Sequence, residues 1–122
     1  MKNAWKVLGR CGRLIVSDFH PLSLITELKN GKVTFRKSHF DQSPEVCKPR
    51  ENVPPSVEFV WKLSDIINSA IQAGFRLDRV EEFYVDEPDG APFIPNNFLL
   101  VATKESADQL IESKRSARKL SA

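Results

Sequence analysis

The stretch from Trp61 to Lys104 decides the fold, and it reads WKLSDIINSAIQAGFRLDRVEEFYVDEPDGAPFIPNNFLLVATK. Its first part predicts an amphipathic helix, because apolar residues recur every three or four positions: Leu63, Ile66, Ile67, Ala70 and Ile71. Gly74 follows the last apolar position and can adopt the left-handed conformation that ends a helix. These features predict a helix that buries one face against a sheet.

Two strands are predicted after this helix. Apolar residues alternate from Phe75 to Val85, but Arg79 and Glu81 interrupt the apolar face. This interruption predicts a bulge or a position at the edge of a sheet. After a turn that contains Pro and Gly, the residues from Phe98 to Ala102 are apolar at successive positions. Such a run is typical of a central strand that is covered on both faces.

The front of the chain predicts a helix end, a tight loop and a strand. Residues 2–8 look like the final turns of a helix, and a strand should open at Arg13. The next three residues, Leu14, Ile15 and Val16, are large or branched, so we expect this strand to be buried on both faces. Asp18 and His20 leave its carboxyl end, which is where open α/β sheets bind their ligands.

The segment from Pro21 to Phe35 supports two interpretations. Pro21 could begin a helix that the pair Asn30-Gly31 stops. The same pair could instead form the turn of a hairpin between residues 25–29 and 32–35. We favour a short helix or loop followed by a strand from Lys32 to about Phe40.

The residues that follow predict an excursion from the main sheet. Residues 42–55 hold four prolines and few large apolar side chains, so they should form an extended, mobile connection. Residues 56–61 should then form a second strand, with Val57, Phe59 and Trp61 on one face. We expect this strand to pair with the one that ends at Phe40.

Composition limits the class of protein. A chain of 122 residues suits one small domain, and a net charge of +2 is too balanced to indicate nucleic-acid binding. The sequence has no apolar run near the ~20 residues of a membrane span, and its amino terminus lacks the pattern of a secretion signal. Cys11 and Cys47 lack metal-type spacing, so we expect no metal site and a soluble, cytoplasmic protein with reduced thiols.

A helix is also predicted at the carboxyl end, from about Glu105 to Leu120. Its last turns carry the cations Lys114, Arg115, Arg118 and Lys119. Cations are favoured at that end of a helix dipole, so we interpret them as a solvated face.

Three segments together resemble the class I S-adenosylmethionine-dependent methyltransferases. Residues 8–21, LGRCGRLIVSDFHP, resemble the Leu-Lys-Pro-Gly-Gly-Arg-Leu segment that leads into the family's fifth strand. Residues 61–75 are similar to the helix before its sixth strand, and residues 95–104 resemble its seventh strand. The resemblance implies an α/β fold: a truncated Rossmann-like methyltransferase sheet, with equivalents of strands five, six and seven. It covers residues 1–104, with a two-stranded excursion at about 22–61, and leaves residues 105–122 as a basic amphipathic helix.

The sequence also departs from this family. Arg10 and Cys11 stand where the family usually has Pro and Gly. The first four strands have no counterpart, and neither does the Gly-rich loop that approaches the cofactor. The sequence has five glycines and no G-x-G. We therefore expect no catalytic or cofactor-binding residues here, and no binding of S-adenosylmethionine by the isolated chain.

The missing strands suggest a partner. Without the family's strand four, residues 13–18 would present unpaired backbone groups that recruit another chain. We expect a homodimer through this strand-five edge, or a companion chain that carries the missing half. In the alternative, residues 2–8 and the C-terminal helix cover the exposed surfaces and keep the chain a monomer.

Four side chains are predicted to bind substrate. Asp18 and His20 lie at the end of the predicted strand five. His39 and Trp61 lie on the excursion that covers the substrate in relatives with a similar insertion. The competing interpretation gives them structural roles: a turn cap for Asp18, loop hydrogen bonds for the histidines, and core packing for Trp61.

The sequence favours a non-catalytic or degenerate methyltransferase-like module that self-associates or pairs with another chain. The alternative is the C-terminal half of a split S-adenosylmethionine-dependent methyltransferase. It would act on a small molecule when a partner supplies the cofactor domain. As an isolated chain we expect the protein to be inactive.

Overall fold

The structure, a computed structural model, describes residues 1–49 and 51–105 together with Arg115 and Arg118. Its helices are α1 (Lys2–Val7), α2 (Pro21–Leu24) and α3 (Leu63–Gln72). Its strands are β1 (Arg13–Phe19), β2 (Thr26–Lys29), β3 (Lys32–Phe35), β4 (Glu45–Cys47), β5 (Ser56–Glu58), β6 (Phe75–Phe83) and β7 (Asn97–Lys104). Within the described part of the chain, no helix is long and apolar enough to cross a membrane.

The main sheet has three strands in the order β1-β7-β6. At one end of β7 the Lys104 N–H donates to the Gly12 carbonyl at 2.8 Å, and near its other end the Asn96 carbonyl accepts from the His20 N–H at 2.9 Å. Residue numbers fall along β7 as they rise along β1, so the two strands are antiparallel.

The predicted helix and its two strands are confirmed. α3 begins at Leu63, and Gly74 follows it with a φ of +106°, a left-handed conformation that favours glycine. β6 starts at Phe75 and lies at an edge of the sheet, as its interrupted apolar face predicted. β7 lies between the other two strands, and its even-numbered residues Phe98, Leu100 and Ala102 are buried.

The expected burial of β1 on both faces is wrong. The strand spans the predicted residues, but Ile15 is 64% exposed and Phe19 is 60% exposed. The exposed residues share one face, so that face of β1 is not covered by another element of the described chain. Side chains alternate between the two faces of a strand, and it is the odd-numbered side chains of β1 that stay in solvent.

The chain forms two compact units, each described by itself. The first contains residues 1–17, 67–81 and 99–122. Its buried residues include Ala70, Phe75, Leu100 and Ala102. Lys104 closes α1, because its Nζ donates to the carbonyls of Trp5 and Leu8 at 2.8 and 2.9 Å. The same ammonium lies 3.8 Å from the centroid of the Trp5 ring, a cation–π contact.

A buried hydroxyl holds a carboxylate in the first unit. The Thr103 Oγ1–H donates to Asp78 Oδ2 at 2.5 Å, and the Arg76 Nε–H donates to Asp78 Oδ1 at 3.1 Å. Both contacts favour the ionised carboxylate and lower the pKa of Asp78, with the Thr103 hydrogen bond as the largest cause.

The loop before β1 contains a bulge. Cys11 and Gly12 both face Lys104: the Cys11 N–H donates to the Lys104 carbonyl at 3.1 Å, and the Lys104 N–H donates to the Gly12 carbonyl. Two residues thus oppose one, which defines a β-bulge. Cys11 has a φ of +61°, in the left-handed region that favours glycine. It is the position where the resembled family usually has Gly.

The second unit contains residues 18–66 and 82–98, and its core includes Ile25 and Phe98. Here α2 and a hairpin occur together, because β2 and β3 are antiparallel with Lys29 opposite Lys32. Asn30 and Gly31 have φ values of +51° and +74°, as a type I′ turn requires. The hairpin alternative is therefore confirmed. The favoured strand to Phe40 is wrong, since β3 ends at Phe35.

The excursion contains a strand pair that was not predicted. β4 and β5 are antiparallel, with Val46 opposite Val57. The expected pairing of residues 56–61 with the strand ending at Phe40 is wrong. Residues 42–55, expected to form an extended, mobile connection, contain the strand β4. The prolines in that stretch flank β4 and leave its three residues free to donate to a neighbour.

The predicted C-terminal helix lies largely outside the described residues. Arg115 and Arg118 are helical and exposed, whereas Lys114 and Lys119 belong to the part that the structure does not describe. The division of the chain at residue 104 stays a prediction.

Candidate functional site

The chemistry-bearing residues of the second unit form two groups. The polar group surrounds His20 and includes Ser23, Glu82 and Asn96. The aromatic group, called the aromatic cluster below, contains His39, Phe40, Phe59, Trp61 and Lys62. The structure places two predicted site residues, His39 and Trp61, on the two segments of this cluster, whereas Asp18 and His20 make their contacts elsewhere.

His20 is buried and uses both ring nitrogens within the chain. Its Nδ1 accepts from the Leu22 N–H at 3.0 Å, which caps the start of α2, and Pro21 takes the first helical position. Its Nε2 lies 2.5 Å from Glu82 Oε2. Because Nδ1 accepts, this pair of contacts fits the tautomer with the proton on Nε2, donated to the carboxylate. A ligand could take up either nitrogen only by replacing one of these contacts.

Asn96 is the central buried polar residue of this group. Its side chain pairs with the backbone of Val85: Oδ1 accepts from the N–H and Nδ2 donates to the carbonyl, both at 2.8 Å. Its own N–H donates to the Phe83 carbonyl at 3.2 Å, and its carbonyl accepts from the His20 N–H. Asn96 thus ties the start of β7 to the ends of β1 and β6, which positions His20 beside Glu82.

Sequence analysis missed Glu82 and Asn96. Glu82 is 62 residues from His20, so no local spacing links the two. Asn96 carried a weak signal, since an Asn between a Pro and a strongly apolar strand has to satisfy its amide within the protein.

Asp18 has a local role. Its side chain is exposed, and Oδ1 accepts from the N–H of the next residue, Phe19, at 2.7 Å. The carboxylate therefore caps a backbone donor at the end of β1. Its predicted contact with substrate stays a prediction.

The aromatic cluster exposes three large rings. Phe40 is 77% exposed, Phe59 is 55% exposed and Trp61 is 53% exposed. Phe59 and Trp61 are stacked, with centroids 5.9 Å apart, and His39 meets the Phe40 ring edge-on at 5.3 Å. Exposed rings in one patch are typical of a surface that binds another molecule.

Polar contacts join the two segments of the aromatic cluster. Lys62 Nζ lies 5.9 Å from the Phe40 centroid and 3.9 Å from Asp65 Oδ1. The Gln42 Nε2–H donates to Asp65 Oδ2 at 3.0 Å. The start of α3 thus holds the loop that carries His39 and Phe40 against Lys62.

The turn that follows Phe40 is held by the carboxylate of Asp41. Asp41 Oδ1 accepts from the Ser43 hydroxyl at 2.6 Å and from the Ser43 N–H at 2.9 Å. These bonds lower the pKa of Asp41, and the hydrogen bond from the Ser43 hydroxyl contributes most.

A cavity of ≈ 400 Å³ lies beside the loop that connects β4 to β5, lined in part by Cys47, Lys48 and Glu58. The volume suits a small molecule. The predicted site residues do not line it. Within the described ranges, no group of three or more His, Cys, Asp or Glu side chains could hold a metal ion.

Comparison with solved structures gives an informative match. No protein-family model matches the sequence, and no curated protein does. A crystal structure from Listeria monocytogenes, of a protein whose proposed activity is that of an S-adenosylmethionine-dependent methyltransferase, aligns with a TM-score of 0.60 and 19% identity. The alignment covers 86% of this chain and 53% of that chain. The chain thus has a methyltransferase-like fold, and it spans about half the length of this structural neighbour.

Proposed function

We propose that this chain is a methyltransferase-like module that lacks a cofactor site of its own and acts by binding a second copy of itself through the outer edge of β1. The observation that carries the proposal is the position of β1. It lies at the end of a three-stranded sheet, with Ile15 and Phe19 exposed, in a fold that matches half of a larger chain.

The correspondence of strands supports an interface at this edge. We equate β1, β6 and β7 with the family's fifth, sixth and seventh strands. In the complete fold, strand four lies beside strand five, so the sheet continues at the outer edge of β1. Unpaired N–H and C=O groups at such an edge favour the addition of another strand.

The glycine content supports the absence of a cofactor site. The family's Gly-rich loop brings backbone close to the methionine part of the cofactor. The five glycines of this chain are Gly9, Gly12, Gly31, Gly74 and Gly90, and no two are separated by a single residue. The residues around His20 are also engaged with one another, which leaves them few groups for a nucleoside.

Sedimentation velocity of the full chain tests self-association. We expect the mass of a dimer at micromolar concentration. Ile15→Lys places a charge on the proposed interface and should shift the chain to monomer. Val7→Lys is the matched control, because Val7 is 83% exposed and lies on α1. A full chain that stays monomeric, or equal effects of the two variants, would contradict the proposal.

Calorimetric titration with S-adenosylmethionine tests the second part of the proposal. We expect no saturable heat from the full chain alone. Tight binding of S-adenosylmethionine by the isolated chain would refute the proposal that it lacks a cofactor site, whether the chain is a monomer or a dimer.

The aromatic cluster favours a second candidate function, the substrate-binding half of a split methyltransferase that acts on a small molecule. Exposed, stacked rings beside a cation can bind a planar acceptor. A polypeptide with the cofactor half would be needed, and the reading frame directly upstream of this gene is the first to examine. The pair should bind S-adenosylmethionine when mixed.

In that pair, Trp61→Ala should weaken acceptor binding, whereas Phe93→Ala removes a ring that is 64% exposed outside the aromatic cluster and should not. If no companion half is encoded nearby, or if the mixture binds no cofactor, this second candidate fails.

A further inference from the structure

The outer edge of β1 has a defined hydrogen-bonding pattern. Gly12 and His20 bond to β7 through their backbones. Residues of an antiparallel strand alternate in the neighbour they bond, so the even-numbered residues of β1 continue this pairing with β7. Arg13, Ile15, Ser17 and Phe19 therefore direct their N–H and C=O groups to the outer edge.

Asp18 occupies one of these outward groups. Its carboxylate accepts from the Phe19 N–H at 2.7 Å. A strand that docks here would have to displace that contact in order to bond Phe19. The outward residues that keep both backbone groups available in β1 are then Arg13, Ile15 and Ser17. They are placed symmetrically about Ile15.

We propose that a second copy of this chain docks antiparallel on β1, with the two-fold axis at Ile15. Ile15 then faces Ile15 of the partner subunit, and Arg13 faces the partner's Ser17. Each such pair exchanges two hydrogen bonds, about six in all. The inference rests on the proposed self-association and specifies its register.

A pair centred on Leu14 is less favourable because only Arg13 and Ile15 would pair within β1. Two further symmetric registers are less favourable because they involve Phe19. Centring the pair on Val16 puts Phe19 opposite the partner's Arg13, and centring it on Ser17 puts Phe19 opposite the partner's Ile15. In both, the Asp18 carboxylate competes for the Phe19 N–H. In the register centred on Ile15, every outward pair can exchange both of its hydrogen bonds. This register also brings together two Ile15 side chains that are each 64% exposed in the single chain.

Cysteine cross-linking distinguishes these registers. The background is the full chain with Cys11→Ser and Cys47→Ser, and single cysteines are introduced as Ile15→Cys or Ser17→Cys. In the proposed register the two Ile15 Cα atoms lie about 5.5 Å apart, within disulfide range. The two Ser17 Cα atoms lie four residues apart along the strands, about 14 Å, which is beyond that range.

We expect Ile15→Cys to run as a disulfide-linked dimer on a non-reducing gel, and Ser17→Cys to stay monomeric. Adding Asp18→Ala to Ser17→Cys frees the Phe19 N–H and should raise its cross-linked fraction. Cross-linking of Ser17→Cys alone would overturn the register and keep self-association. A chain that sediments as a dimer while neither cysteine cross-links would overturn the register centred on Ile15, because a pair centred on Val16 places neither cysteine within disulfide range of its copy. A chain that sediments as a monomer would overturn the proposed function itself.

Discussion

Replacing Cys11 by glycine should stabilise this protein. Cys11 adopts a φ of +61° in the bulge before β1. An L-residue in this region costs about 1–2 kcal/mol, whereas glycine adopts it freely. Glycine gives back about 0.5–1 kcal/mol through the greater freedom of the unfolded chain. The expected net gain of Cys11→Gly is therefore about 0.5–1 kcal/mol in the free energy of unfolding.

Urea denaturation at one fixed protein concentration measures this gain. With a slope of about 2 kcal/mol/M, the midpoint should rise by about 0.3–0.5 M. Cys11→Ala is the matched control, since it removes the thiol and keeps the Cβ, and it should bring no gain. Asn30→Gly should gain less, because Asn tolerates its φ of +51° in the β2–β3 turn. If Cys11→Ala stabilises as much as Cys11→Gly, the reasoning from backbone conformation is wrong.

Three further predictions concern polar contacts within the chain. Lys104→Met should destabilise the chain by about 2–3 kcal/mol, read from thermal unfolding, because two helix-end carbonyls lose a charged donor; Lys104→Arg should cost less. Thr103→Val should raise the pKa of Asp78, followed by carboxyl NMR titration. The pKa of Asp78 is lower in the folded chain than in the unfolded chain, where it is about 3.9, so the ionised carboxylate stabilises the fold above that pH. This stability is lost as the pH falls through the pKa of the folded chain. The variant has less of it to lose, so its stability should fall less on acidification. Glu82→Gln keeps an acceptor for His20 and should cost less than Glu82→Leu; equal unfolding midpoints for the two would show that the hydrogen bond is unimportant.

The sequence predicts this fold where local patterns are strong. The apolar spacing of α3, the glycine at position 74 and the apolar run of β7 determine elements whose burial depends on close neighbours in the chain. The burial of β1 could not be predicted in the same way. Leu14, Ile15 and Val16 make it possible for β1 to be buried on both faces. Whether both faces are covered depends on which other elements pack against the strand.

The candidate site could be predicted only in part. His20 was recognised from its place after β1, but its partner Glu82 is distant in sequence and is positioned by the sheet. The aromatic cluster was half predicted, through His39 and Trp61. The stretch of the excursion before β5 gave the least reliable expectations, because a strand of three residues such as β4 leaves almost no periodic signal.

The two edge strands of the main sheet, β1 and β6, differ in how many charged residues they carry. β6 carries five charged residues among its nine: Arg76, Asp78, Arg79, Glu81 and Glu82. Charged side chains along an edge strand discourage further strands from pairing with it. If two copies pair through their β1 edges, the combined sheet has six strands and ends in β6 on both sides. In such a pair the charged residues of β6 would oppose the addition of further strands, and hence growth into fibrils.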